Sequence, residues 1–287
     1  MNGRAAPTGA DLHRRWLELV DTDGPFLAIP ALRRVWPQGM PVPVKDAITA
    51  LKDAKVAFEK AWENWDTRRD DAALEFYRRE RDTWADVVLR DVLGWRDSYT
   101  AATVGDQVRS PDHAVTVRAT GALVHEDTIG ALILVVDPVD SLRDPLDDGW
   151  ANTPIDRLEE LLRANAVPIG LVTDGRWWAI ASARKETMLA SGVVDAQTWI
   201  EEPHTRDAFI ELLQRRRLLG GKPEDRLTAL FGESVAAAEE ITEALGTQVR
   251  RAVELLVQAL SEAALAADGP DPLPAKRAGR DRPRPAA

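Results

Sequence analysis

ALILVV (131–136), TPIDRLEELLRAN (153–165) and VPIGLVTDGRWWAIAS (167–182) together decide the fold of this chain. The first is an unbroken apolar run, the pattern of a strand covered on both faces. In the second, Ile155, Leu158 and Leu162 recur at helical spacing. Thr153 is placed to cap that helix, and Pro154 suits its first position. The third reads as a strand to Thr173, a turn at Asp174-Gly175 and a return strand through Trp177 to Ala181. Asp-Gly between apolar runs predicts a hairpin whose two turn residues tolerate positive φ. Strand, crossover helix and second strand imply a parallel pair with a right-handed connection, and the hairpin adds an antiparallel strand at one side. The expectation is a mixed sheet of the α/β (α+β) class.

Outward from this unit, residues 11–20 suit a short helix with Leu12, Trp16, Leu19 and Val20 on one side. Residues 24–43 hold five prolines, too many for a helix or central strand, so an irregular segment pinned by Phe26, Leu27, Ile29, Leu32, Val35 and Trp36 is expected. Two long helices are predicted next, over 44–66 and 70–93. Leu51, Ala54, Phe58, Trp62 and Trp65 stripe the first; Leu74, Tyr77, Trp84, Val88 and Val92 stripe the second. The link Thr67-Arg68-Arg69 makes them an antiparallel hairpin, and Gly94 is placed to stop the second. Strands are expected at 115–118 and 122–125, joined through Thr120-Gly121, then at 129–136 and within 188–200. A helix is expected over 205–219 and a last one over 248–264. The predicted organisation is an irregular segment with helical hairpin (1–95), an α/β domain (96–221), C-terminal helices (222–267) and a disordered tail (268–287), whose five prolines and lack of aromatic residues leave nothing to pack.

Composition narrows the function classes. The chain has 287 residues, no cysteine and a formal charge of −10. Absence of cysteine excludes disulfides and thiolate metal sites. No apolar run approaches 18 residues and no signal peptide is legible, so a cytoplasmic protein with no membrane contact is expected. The tail carries five Lys/Arg against three Asp, a net +2, which leaves −12 on the rest. Such a body repels phosphate at long range, so DNA contact would need local arginines. Candidates are Arg78 and Arg79 and the run Arg215-Arg216-Arg217.

Phosphate-binding, zinc-protease and nucleophile-elbow motifs are absent, and His13, His113, His125 and His204 lack ligand spacing. His113 and His125 read as surface residues. A glycine-rich cofactor turn and an Asn/Asp-Pro-Pro-aromatic loop, which an adenine methylase needs, are also missing. The order of elements resembles the PD-(D/E)xK nuclease fold, in which two acids hold Mg²⁺ through oxygen and a lysine two residues after the second positions water. Pro111-Asp112 stands where the first acid belongs and Asp137 where the second does. The lysine position is Val139, and Lys185 is the one displaced substitute. The leading expectation is therefore no catalytic residue, no metal and no cofactor; the alternative is a Mg²⁺ endonuclease using Asp112, Asp137 and Lys185.

PIGLVTDGRWWAI (168–180) resembles the hairpin of restriction–modification proteins, in particular the N-terminal region of large DNA adenine methyltransferases such as that of the DISARM phage-defence system. WLELVDTDGPFLAIPALRRVWPQGM (16–40) and EALGTQVRRAVELLVQAL (243–260) are similar to that region too. The resemblance implies a DNA-modification or phage-defence setting, with DNA, a methylase core or another defence subunit as partner. In such proteins the methylase core follows this region. Here a Pro/Arg tail stands instead, which implies a detached or truncated, non-catalytic accessory module with a degenerate nuclease-like domain.

Overall fold

A computed structural model describes residues 6–184 and 187–266. The chain divides into two compact units, Met1–Ala236 and Ala237–Ala287.

The first unit is built on a seven-stranded mixed sheet. Its strands are β1 (Asp21–Asp23), β2 (Tyr99–Thr100), β5 (Gly121–His125), β6 (Thr128–Val135), β7 (Ile169–Thr173), β8 (Trp177–Ser182) and β9 (Ala190–Asp195). A separate hairpin pairs β3 (Val104–Arg109) with β4 (Thr116–Ala119). The sheet order is β1-β9-β8-β7-β6-β5-β2, and only β6 and β7 run parallel. Their crossover is α5 (Pro154–Ala164), opened by Thr153 and Asp156 in a reciprocal capping box with Pro154 in the first turn.

Both faces are covered, which is why these strands read as continuous apolar runs. On one face Ile133, Leu171, Trp178 and Ile180 join the core beneath α3 (Lys45–Arg68) and α4 (Asp71–Val87). On the other, Leu132, Val172, Ala179 and Ala181 meet Leu158, Leu161 and Leu162 of α5. The α5 face is small-residued because the helix lies close: a Cβ on Gly170 would stand 2.8 Å from Leu158 Cδ1 and 2.9 Å from Leu162 Cδ2. The helical hairpin forms as expected, turning at Arg69 in the left-handed region (φ 49°), with Asp70 capping α4 through Ala73 N–H. α4 then widens into a π turn over Val88–Val92, and Gly94 (φ 75°) follows it.

Four expectations change. The proline-rich segment contains α2 (Ile29–Val35) after α1 (Gly9–Leu17): Pro30 sits in its first turn, where no N–H is needed, and Pro37 lies beyond its end. The Thr120-Gly121 hairpin does not exist. The reversal is at Glu126-Asp127, whose φ values of 48° and 61° give the tight turn between His125 and Thr128, so β5 pairs β6 while β4 leaves for β3. The expected helix over 205–219 breaks into α6 (Pro203–Leu212) and α7 (Arg215–Leu218), with Gln214 extended between them. The indole of Trp95 takes the carbonyl of Leu213 at that break (2.8 Å). The last helix, α8 (Leu227–Ala266), is one 40-residue element that starts twenty-one residues before the expected Gln248. Its first turns bury Leu227, Leu230 and Phe231 in the first unit. The tail over 268–287 lies outside the described residues.

Candidate functional site

In sheets with parallel strands, ligand crevices lie beyond the carboxyl ends of those strands. Here that place is where β6 and β7 end, at Val136-Asp137 and Thr173-Asp174. The hairpin loop comprises four residues between the paired Thr173 and Trp178. Only Gly175 (φ 102°) has positive φ; Asp174 instead folds its own carboxylate back over the turn. That carboxylate is fully buried and accepts from the N–H groups of Trp177 (2.7 Å), Arg176 (3.0 Å) and Val139 (3.1 Å). Burial pushes its pKa up to about 6, against the downward pull of those donors.

Aromatic groups of the helical hairpin clasp the same turn. Tyr77 Oη donates to the Asp174 carbonyl (2.7 Å), and the indoles of Trp84 and Trp178 both donate to the Gly175 carbonyl (2.9 Å each). A Cβ on Gly175 would stand 2.8 Å from both Arg81 Cγ and Phe58 Cε2. Desolvation raises the Tyr77 phenol far above its ordinary value, so it stays a neutral donor.

Asp137 stands beside this turn on the 18-residue path, 136–153, from β6 to α5. Arg78 grips it with two bonds (Nε 2.8 Å, Nη2 2.5 Å), and Arg81 adds a third (3.3 Å) while donating to the Val136 carbonyl (2.7 Å). The Arg78 guanidinium holds the Asp137 carboxyl below the usual range. Val139, in the lysine position, contributes its backbone N–H to Asp174. Past Asp137 the loop borders an open groove of about 420 Å³ with Asp140, Asp144, Asp147 and Asp148. Arg81, Asp86, Tyr99 and Thr120 line another open groove, of about 590 Å³.

The other sequence candidates are dispersed. Asp112 lies at the tip of the β3–β4 hairpin, in the smaller sheet, where the Ser110 hydroxyl (2.5 Å) and Ala114 N–H (3.1 Å) hold it; the Ser110 bond lowers its pKa. Among the described residues it shares no hydrogen-bond partner with Asp137, which is held by Arg78 and Arg81. Lys185 lies outside the described residues. Among the described residues, no group of three or more His, Asp or Glu side chains is arranged to hold a metal ion.

Arg79 is exposed, paired with Glu80 and lying over Phe76. Arg215 is exposed on α7. Arg216 and Arg217 both reach the buried Glu211 (2.6 and 3.2 Å), and Arg217 also stacks on Trp36 (4.5 Å). His13, passed over in the sequence, is fully buried. Its Nδ1 accepts from Trp16 (3.3 Å), so Nε2 carries the proton donated to the Trp36 carbonyl (2.7 Å). Tyr77 reads in the sequence as part of an apolar stripe and Asp174 as a turn residue, and nothing there marks Glu211. The legible signal for Asp174 was its place in the hairpin turn, but nothing local marks a carboxylate for burial. No helix among the described residues is long and apolar enough to cross a membrane. Compared with family models, curated proteins and solved structures, the chain matches none.

Proposed function

We propose that this chain is a non-catalytic accessory or DNA-engaging module of a restriction–modification or phage-defence methyltransferase system. One observation carries the non-catalytic part: Asp137, in the place of the second metal-binding acid, is neutralised by Arg78 and Arg81. A carboxylate so engaged must break charge-assisted bonds before it can ligate Mg²⁺. Val139 supplies neither a cation nor a proton acceptor to activate water. The TDGRWW hairpin carries the proposed methyltransferase setting, since it is the segment that resembles that family and also the one that α4 encloses.

For DNA, Arg215 and Arg79 are the most available of the five candidates: both are exposed, Arg79 is paired only with its neighbour Glu80, and Arg78, Arg216 and Arg217 are tied to acids elsewhere in the fold. Binding should be weak and steeply salt-dependent, each phosphate contact adding about −0.9 to the log–log slope. The test pairs two assays on the full chain. Plasmid nicking with Mg²⁺ or Mn²⁺ should be absent in the wild type. Anisotropy of a labelled duplex should show a salt slope that flattens in Arg79→Ala/Arg215→Ala. Metal-dependent nicking lost in Asp112→Ala, Asp137→Ala and Lys185→Ala would install the endonuclease reading instead. Affinity that ignores salt would remove the arginine–phosphate mode, and absence of binding would remove the DNA role.

A further inference from the structure

The outer part of α8, from Ala237, is an amphipathic helix whose apolar side chains are exposed. Eight large aliphatic side chains between Ile241 and Leu260 are 43–63 % exposed. Single exposed leucines need no explanation, but a continuous stripe over several turns does. Six of the eight, Ile241, Leu245, Val249, Val253, Leu256 and Leu260, lie on one face and offer on the order of 600 Å² per chain, within the range that each partner contributes to a specific interface.

We infer that this segment pairs antiparallel with the same segment of a second copy, about a two-fold axis between Ala252 and Val253. The spacing of the stripe carries the inference. Read outward from that point in both directions, Ala252 falls opposite Val253, Val249 opposite Leu256 and Leu245 opposite Leu260. A two-fold contact is isologous in either direction, but an antiparallel pair sets residue i opposite a different residue, so it keeps apolar groups facing each other only where the stripe is palindromic in spacing, as it is here. Antiparallel pairing also sets opposed helix dipoles side by side. A lipid surface is the poorer occupant. The polar side holds Glu239, Glu240, Glu243, Glu254 and Glu262 against Arg250 and Arg251, whereas helices that lie on anionic membranes are rich in Lys and Arg. The inference does not depend on the proposed function.

The chain has no cysteine, so single introduced thiols report register cleanly. Sedimentation of the full chain from low to high micromolar should show a monomer–dimer equilibrium. Val249→Asp/Leu256→Asp should abolish the dimer, with the melting of the first unit unchanged. Oxidising a mixture of Leu245→Cys and Leu260→Cys chains should give mainly the mixed cross-link. A monomer at every concentration, a dimer that survives the double aspartate variant, or preferential Leu245→Cys self-cross-linking, as in a parallel pair, would each overturn the inference.

Discussion

α4 and the outer part of α8 are both amphipathic helices with a clear apolar stripe, yet one is enclosed and the other is bare. On α4, Tyr77 and Trp84 are at most 1 % exposed, while on α8 Val249 is 63 % and Leu256 60 % exposed. The stripes differ in chemistry. The two buried aromatics of α4, Tyr77 and Trp84, each carry a donor that must find an acceptor, and both find carbonyls of the Asp174-Gly175 turn. Those bonds fix where the helix sits along the sheet. Leucine and valine have no such handle, so the α8 stripe states that a face must be covered without naming by what.

The sharpest way to break this contrast is to remove an aromatic anchor. Trp84→Ala should cost about 3–5 kcal/mol by urea denaturation, through the lost ring, the cavity and the loss of one of the two indole donors to the Gly175 carbonyl. A cost below about 1 kcal/mol would mean that α4 is held by apolar contact alone, as any stripe would be.

Asp174 sharpens it next. Asp174→Asn replaces an acceptor by an amide that cannot accept from all three N–H groups, and should cost about 1–3 kcal/mol at neutral pH. The pH dependence is separable. The Asp174 pKa is higher folded (about 6) than its ordinary 3.8, so the native state binds this proton first. Its contribution therefore rises as pH falls from about 7 to about 4, by at most roughly 3 kcal/mol. His13, whose pKa burial lowers, works against it: its contribution is lost as pH falls through 6.5. The difference between wild type and Asp174→Asn isolates the aspartate, and the wild-type advantage should grow on acidification over that window. An advantage that shrank would contradict the burial of this carboxylate.

A smaller effect is expected at Asp137. Its partner Arg78 is 41 % and Asp137 50 % exposed in the side chain, so solvent screens the pair. Asp137→Ala should change stability by no more than about 1 kcal/mol, because water reaches both groups. A cost of several kcal/mol would place Asp137 among the structural anchors with Asp174. The smallest effect belongs to α8: Leu256→Asp in the monomeric state should shift the denaturation free energy of the first unit by less than about 0.5 kcal/mol. A large loss would show that the stripe packs on its own body.

Much of the central unit was legible because its signals are local. The apolar run at 131–136 meets two covering layers, Thr153-Pro154 opens α5, and Asp174-Gly175 marks the reversal. Local signals failed where backbone geometry had unfamiliar carriers. Glu126-Asp127 makes the tight turn that Thr120-Gly121 was expected to make, although glutamate is not a turn former. Pro25 and Pro37 flank, and Pro30 opens, a helix in a segment whose proline count argues against one.

By itself, then, the sequence determined the mixed sheet, its crossover, the helical hairpin and the stripes, since each follows from periodicity, caps and turns within a few residues. Only the tertiary structure decided the fate of the charged groups. Arg78 meets Asp137 from 59 residues away, Tyr77 meets the Asp174 carbonyl from 97, and Trp36 meets Glu211 from 175. A carboxylate's pKa and availability depend on which donors surround it, and those donors come from elements distant in the chain. The pattern that placed Asp137 at a strand end could not show that two arginines of α4 would already be holding it.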